Sequence, residues 1–136
     1  MTTLLNPYLT FNGNAREAMQ FYQSVFGGDL KVNTFGEFGQ TDAAVADKVM
    51  HAMLTSDKGT LMASDAAPGT PFNPGSAITC SLSGDLTDGL DDVWAKLSDS
   101  GQVNVPLEKQ VWGDQFGQCV DRFGTPWMIN IAQPQS

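Results

Sequence analysis

The strongest constraint on the fold is an internal repeat with a spacing of about seventy residues. The run PYLTFN (7–12) reads as a strand, and Gly13-Asn14 then introduces AREAMQFYQSVFGG. Asn14 has the chemistry of a helix N-cap, Glu17 stands three residues on as in a capping box, and Gly27-Gly28 closes the segment. Met19, Tyr22 and Phe26 recur at helical spacing and define one apolar stripe. Seventy-one positions after Gly13-Asn14 comes Gly84-Asp85, ending ITCSLSGD and opening LTDGLDDVWAKLSDSG, where Leu90, Val93 and Leu97 take the places of the first stripe. Both copies continue alike. KVNTFGEF and VNVPLEKQVW read as the next strands, and AMLTSDKGTLMAS and GQCVDRFGTPWMINI each read as two strands about a Gly-Thr turn.

Each copy is thus a βαβββ module, and the period is too long for a solenoid. The expected fold is α+β, with two tandem βαβββ modules whose curved sheets surround a concave cavity and whose helices cover the convex side. Module one spans about 5–65 and module two about 76–132, within a single domain of 1–136. The crossover, 66–75, is rich in proline and glycine and reads equally as a linker or a lid.

Charge narrows the partners. Seven basic residues against fifteen acidic ones give a formal charge of −8, which repels phosphate backbones and anionic membrane surfaces. No apolar run approaches the roughly 20 residues of a membrane helix. MTTLLNPYLT lacks the basic start and long apolar stretch of a signal peptide, so a cytoplasmic location is expected. Cys80 and Cys119 lie in strand-like segments without a CxxC pair and read as reduced, buried small hydrophobes.

Two tandem modules of this kind resemble the vicinal oxygen chelate superfamily, which includes glyoxalase I, ring-cleaving dioxygenases and bleomycin-resistance proteins. FNGNAREAMQFYQSVFGG, HAMLTSDKGTLMASD and WGDQFGQCVDRFGTPWMIN are similar to the PhnB-like branch, which also carries a ubiquinone-methyltransferase label. That label is discounted here, because the strand-to-helix junctions FNGNA and LSGDL lack the glycine-rich turn of a cofactor-binding parallel sheet. In the superfamily's metal enzymes, the first and last strands of each module supply the ligands. The resemblance puts Pro7, Ala63, Ala77 and Asn130 at those places, of which only Asn130 offers a donor, and a weak one. The expectation is therefore a site without a metal cofactor, in which these four positions line the ligand.

Other residues carry the remaining candidate chemistry. His51 alternates with Met53 and Thr55, and Leu61, Ala63 and Asp65 are expected on the concave face of the next strand. A His51–Asp65 pair could act as a general base, or His51 could be an ordinary hydrogen-bonded strand histidine. An alternative set of His51, Asp65 and Glu37 would hold one divalent metal ion for a lyase or isomerase of glyoxalase type. Trp112, Phe116 and Met128, with Asn130, offer the aromatic, thioether and polar mixture of a small-molecule pocket, whereas Trp127 and Ile129 should face the helix. A small apolar or aromatic ligand and a homodimer that covers the sheet edges are the expected partners.

Overall fold

The computed structural model describes residues 3–67 and 69–133. Their contacts divide into two compact units, one ending at Pro74 and the other beginning at Gly75. In the first unit β1 (Tyr8–Phe11), α1 (Ala15–Phe26), β2 (Asp29–Thr34), a short α2 (Ala43–Ala46), β3 (Val49–Ser56) and β4 (Gly59–Asp65) follow in order. The second unit repeats the plan with β5 (Cys80–Asp85), α3 (Leu90–Ser98), β6 (Gln102–Lys109), β7 (Gln115–Val120) and β8 (Pro126–Ala132). The strand orders are β1-β4-β3-β2 and β5-β8-β7-β6, with the first strand parallel to the last and the other pairings antiparallel. The fold is α+β, in two similar halves with open, curved, mixed sheets.

Each sheet buries one face under its helix. In the first unit Met19, Tyr22 and Val25 of α1 are buried, as are Phe11, Ala52, Leu54, Leu61 and Ala63 of the strands. In the second, Leu90, Val93 and Leu97 of α3 are buried together with Cys119, Trp127, Ile129 and Ile131. Fully burying each large apolar side chain contributes about 1.5–3 kcal/mol, so these two stripes hold the helices down. Gly28 marks a close approach. A Cβ there would run into the Thr55 carbonyl, and its φ of 90° already lies in the left-handed region.

Several expectations change. β2 stops at Thr34, and Gly36–Phe38 form a 3-10 turn, so Glu37 lies off the strand. The KVNTFGEF run bends because Gly39, at φ 99°, closes that turn through its amide on the Gly36 carbonyl. Trp112 sits in the β6–β7 turn, where Gly113 at φ 101° reverses the chain and Gln110 N donates to Asp114 O at 2.8 Å. β6 is an edge strand with two irregularities in its pairing around Val105. Its Pro106 cannot donate to a ladder, which an edge tolerates.

The helix starts also differ from the capping-box reading. Asn14 makes no side-chain cap; the buried Asp65 at the end of β4 does so from across the sheet. LTDGLDD divides into a 3-10 turn, Leu86–Asp88, held by a reciprocal Asp85–Asp88 capping box, and α3 starts only after Gly89.

Candidate functional site

Strand alternation sorts each sheet into a helix-packed face and an open face. Register assigns Tyr8, Thr10, Met62, Ser64, His51 and Met53 to the open face of the first unit. Leu61, Ala63 and Asp65 are the buried alternates of β4 and pack toward α1. Ala63 and Asp65 therefore do not stand where the sequence placed them. Ala63 is fully buried, so it lines the core.

Asp65 is committed to the backbone. Its Oδ1 accepts from Gly13 N and Ala15 N, and its Oδ2 accepts from Val49 N, all at 2.9 Å. One carboxylate thus caps α1 and ties it to the start of β3. His51 pairs elsewhere, its Nδ1 lying 3.1 Å from the Tyr8 hydroxyl. Glu37 accepts from Asn33 Nδ2 at 3.1 Å. His51, Asp65 and Glu37 do not form one ligand set, and among the described residues no three His, Cys, Asp or Glu side chains come together as a metal group.

The four positions expected from the superfamily's metal enzymes fare similarly. Pro7 precedes β1 and gives its carbonyl to Met62 N at 3.1 Å, Ala77 lies exposed in a bend before β5, and Ala63 is core. Only Asn130 stands on an open strand face. The open-face residues of the first and last strands are Tyr8, Thr10, Met62 and Ser64 in one unit and Ser81, Ser83, Met128 and Asn130 in the other. Hydroxyl, thioether and amide groups do not fit a divalent cation that needs several carboxylates or imidazoles.

The second unit gathers most of the remaining candidates. Phe116 on β7 is the direct cross-strand partner of Asn130 on β8, and Gln118 that of Met128. Trp112 reaches from the turn to stand edge-on to Phe116, with ring centroids 5.9 Å apart and an angle of 66°. Trp112 remains 59% exposed, which leaves it free to meet a ligand. Asn130 Nδ2 donates to Asp114 Oδ2 at 3.0 Å, and Gln133 N donates to Asp114 Oδ1 at 3.2 Å. These two bonds, the side-chain one first, hold the Asp114 carboxyl below its ordinary pKa. The amide is thereby oriented with its carbonyl oxygen still able to accept. Trp127 and Ile129 face α3, as alternation requires.

Sequence reading missed three arrangements. The Tyr8–His51 contact spans two non-adjacent strands and leaves no local pattern. Asp121 is buried in the β7–β8 turn, accepting from Phe123 N at 2.8 Å, Thr125 N at 3.1 Å and the Trp127 indole at 2.8 Å. The Asp-Arg-Phe-Gly-Thr turn, 121–125, is the signal that could have shown it. A cleft of about 240 Å³ lies beside the start of α1, between Asn12, Gly13, Phe35, Val45 and Lys48. Asp65 forms part of its wall, but both its oxygens are occupied.

This architecture is that of the vicinal oxygen chelate superfamily. The fold is shared with a bleomycin resistance determinant encoded on transposon Tn5, which is 19% identical with a TM-score of 0.57, over 98% of this chain and 100% of that one. Within the superfamily, the chain belongs to the PhnB-like family, whose model, described as 3-demethylubiquinone-9 3-methyltransferase, matches residues 3–130. Protein PA1353 from Pseudomonas aeruginosa is 36% identical with a TM-score of 0.88, over 98% of this chain and all of that one. A PhnB protein from Bacillus cereus is 24% identical with a TM-score of 0.75, over 96% of this chain and 100% of that one.

Proposed function

We propose that the protein binds a small apolar or aromatic molecule against the open face of β7 and β8, without the divalent metal of its superfamily's enzymes. The observation that carries this reading is the Trp112–Phe116 edge contact beside the oriented amide of Asn130. Aromatic surface supplies affinity, and a fixed amide supplies one directional hydrogen bond to a ligand hydroxyl, amine or carbonyl. Met128, on the same face, adapts to ligand shape through its flexible thioether.

The family description names a methyltransferase, and the fold speaks against methyl transfer from S-adenosylmethionine. Such enzymes bind the cofactor at a glycine-rich turn heading a parallel sheet. Here each sheet has one parallel pairing, and the turn after β1 is filled by the Asp65 carboxylate. The alternative, a metal-dependent lyase or isomerase using His51, Asp65 and Glu37, loses support because Asp65 is spent on three amides.

Tryptophan fluorescence tests the reading directly. Titration with a panel of small aromatic compounds is expected to give saturable quenching, which Trp112→Leu abolishes and Asn130→Ala weakens about tenfold. A panel with no saturable ligand, or equal binding by Trp112→Leu, refutes it. We further propose a cytoplasmic homodimer, since each sheet ends in edge strands, β1 and β2 in one and β5 and β6 in the other, and such edges favour pairing with a second copy. Monomeric mass by light scattering at micromolar concentration would contradict the dimer.

A further inference from the structure

We propose that the open face of the first unit is a binding site for a soft monovalent cation, Cu(I), held by His51, Met53 and Met62. The reading uses residues of the first unit alone and does not depend on the aromatic residues of the second.

Met53 on β3 and Met62 on β4 are direct cross-strand partners, and His51 lies two residues before Met53 on the same face. Directly paired residues have Cβ atoms about 4.5–5.5 Å apart, and residues i and i+2 of a strand are separated by about 7 Å. Three flexible or rotatable side chains of that reach can converge on one ion above the strand pair. All three are half-buried, which shields the ion from bulk water yet leaves an entry path.

Ligand chemistry selects the ion. Two thioethers and one imidazole form a neutral, soft donor set, which suits Cu(I) and gives little to Mg²⁺, Ca²⁺ or Mn²⁺. The imidazole already has a partner that orients it. Tyr8 Oη sits 3.1 Å from His51 Nδ1, and in the tautomer where Nδ1–H donates to that oxygen, Nε2 carries the lone pair. Tyr8 is itself the register partner of Met62, so its ring stands beside the site. Lys31, the cross-strand partner of Met53, brings one positive charge to the rim. Glu37 brings a compensating negative one through Asn33, the partner of His51. The chain's charge of −8 favours any cation.

Anaerobic competition against bicinchoninate measures the site. The full-length protein is expected to withdraw one equivalent of Cu(I), with X-ray absorption reporting two sulfur ligands and one nitrogen. Met53→Leu, Met62→Leu and His51→Gln should each lower affinity at least tenfold while the circular dichroism stays unchanged, and Tyr8→Phe should lower it by a smaller factor. Each variant keeps Cys80 and Cys119, so thiol binding is a constant background. Ag(I) should compete for the site, and Zn(II) should not. Failure to withdraw Cu(I), or equal affinity in the Met53→Leu/Met62→Leu/His51→Gln triple variant, overturns the proposal. Loss of aromatic binding in Trp112→Leu leaves this readout untouched, so the two readings fail separately.

Discussion

Replacing Asp65 should cost the protein more than any other single carboxylate change in the first unit, and the size of the loss can be worked from its partners. Its two oxygens satisfy the amides of Gly13, Ala15 and Val49. Ala15 is fully buried and Val49 is 1% exposed, so neither amide gains water when the carboxylate goes. An orphaned buried donor costs about 1–3 kcal/mol. Gly13 borders the cleft, where water can reach its amide, so losing that bond costs little. Asp65→Ala is therefore expected to lose about 2–6 kcal/mol, from the roughly 5–15 kcal/mol typical of a whole domain. At about 3–4 °C per kcal/mol for a chain of this size, the melting temperature should fall by roughly 6–24 °C. Asp65→Asn keeps one acceptor but turns an NH₂ toward a backbone N–H, and it should lose somewhat less. Differential scanning fluorimetry with a urea titration measures both variants. A fall below about 3 °C in Asp65→Ala would refute the structural role and return Asp65 to the list of groups free for catalysis.

The remaining predictions concern the second unit. Burial first, and the negative field of Asp121 second, push the Cys119 thiol up to about 11 from 9.0. At pH 8 it should react with a disulfide reagent only as fast as the protein opens, and fast stoichiometric labelling of the native protein would contradict this. Because the folded state holds the Cys119 proton longer than the unfolded chain, its contribution to stability is complete below pH 9 and is lost as pH rises through about 11. Urea titrations across that window should show the decline, and Cys119→Ala should show less of it. Gly117→Ala would place a Cβ 2.9 Å from the Trp94 ring and 3.0 Å from the Leu107 backbone. The overpacking should cost about 1–3 kcal/mol by chemical denaturation, and a neutral result would mean that α3 does not pack as described.

Periodicity and turn chemistry made the duplicated βαβββ plan legible from the residues alone. Both helical stripes, both Gly-Thr hairpins and the Met128/Asn130 against Trp127/Ile129 alternation are local signals, and local signals survive without a partner strand. The PhnB-like resemblance came from the same stretches. What the sequence could not decide was which face of β4 looks at the helix. Alternation fixes that Ala63 and Asp65 share a face, but either phase satisfies a strand with small residues on both sides. Tertiary packing chose, by pressing Leu61 and Ala63 against α1 and thereby delivering Asp65 to three unpaired amides. The same choice sent His51 to the opposite face and to Tyr8, and it separated the pair that the sequence had joined.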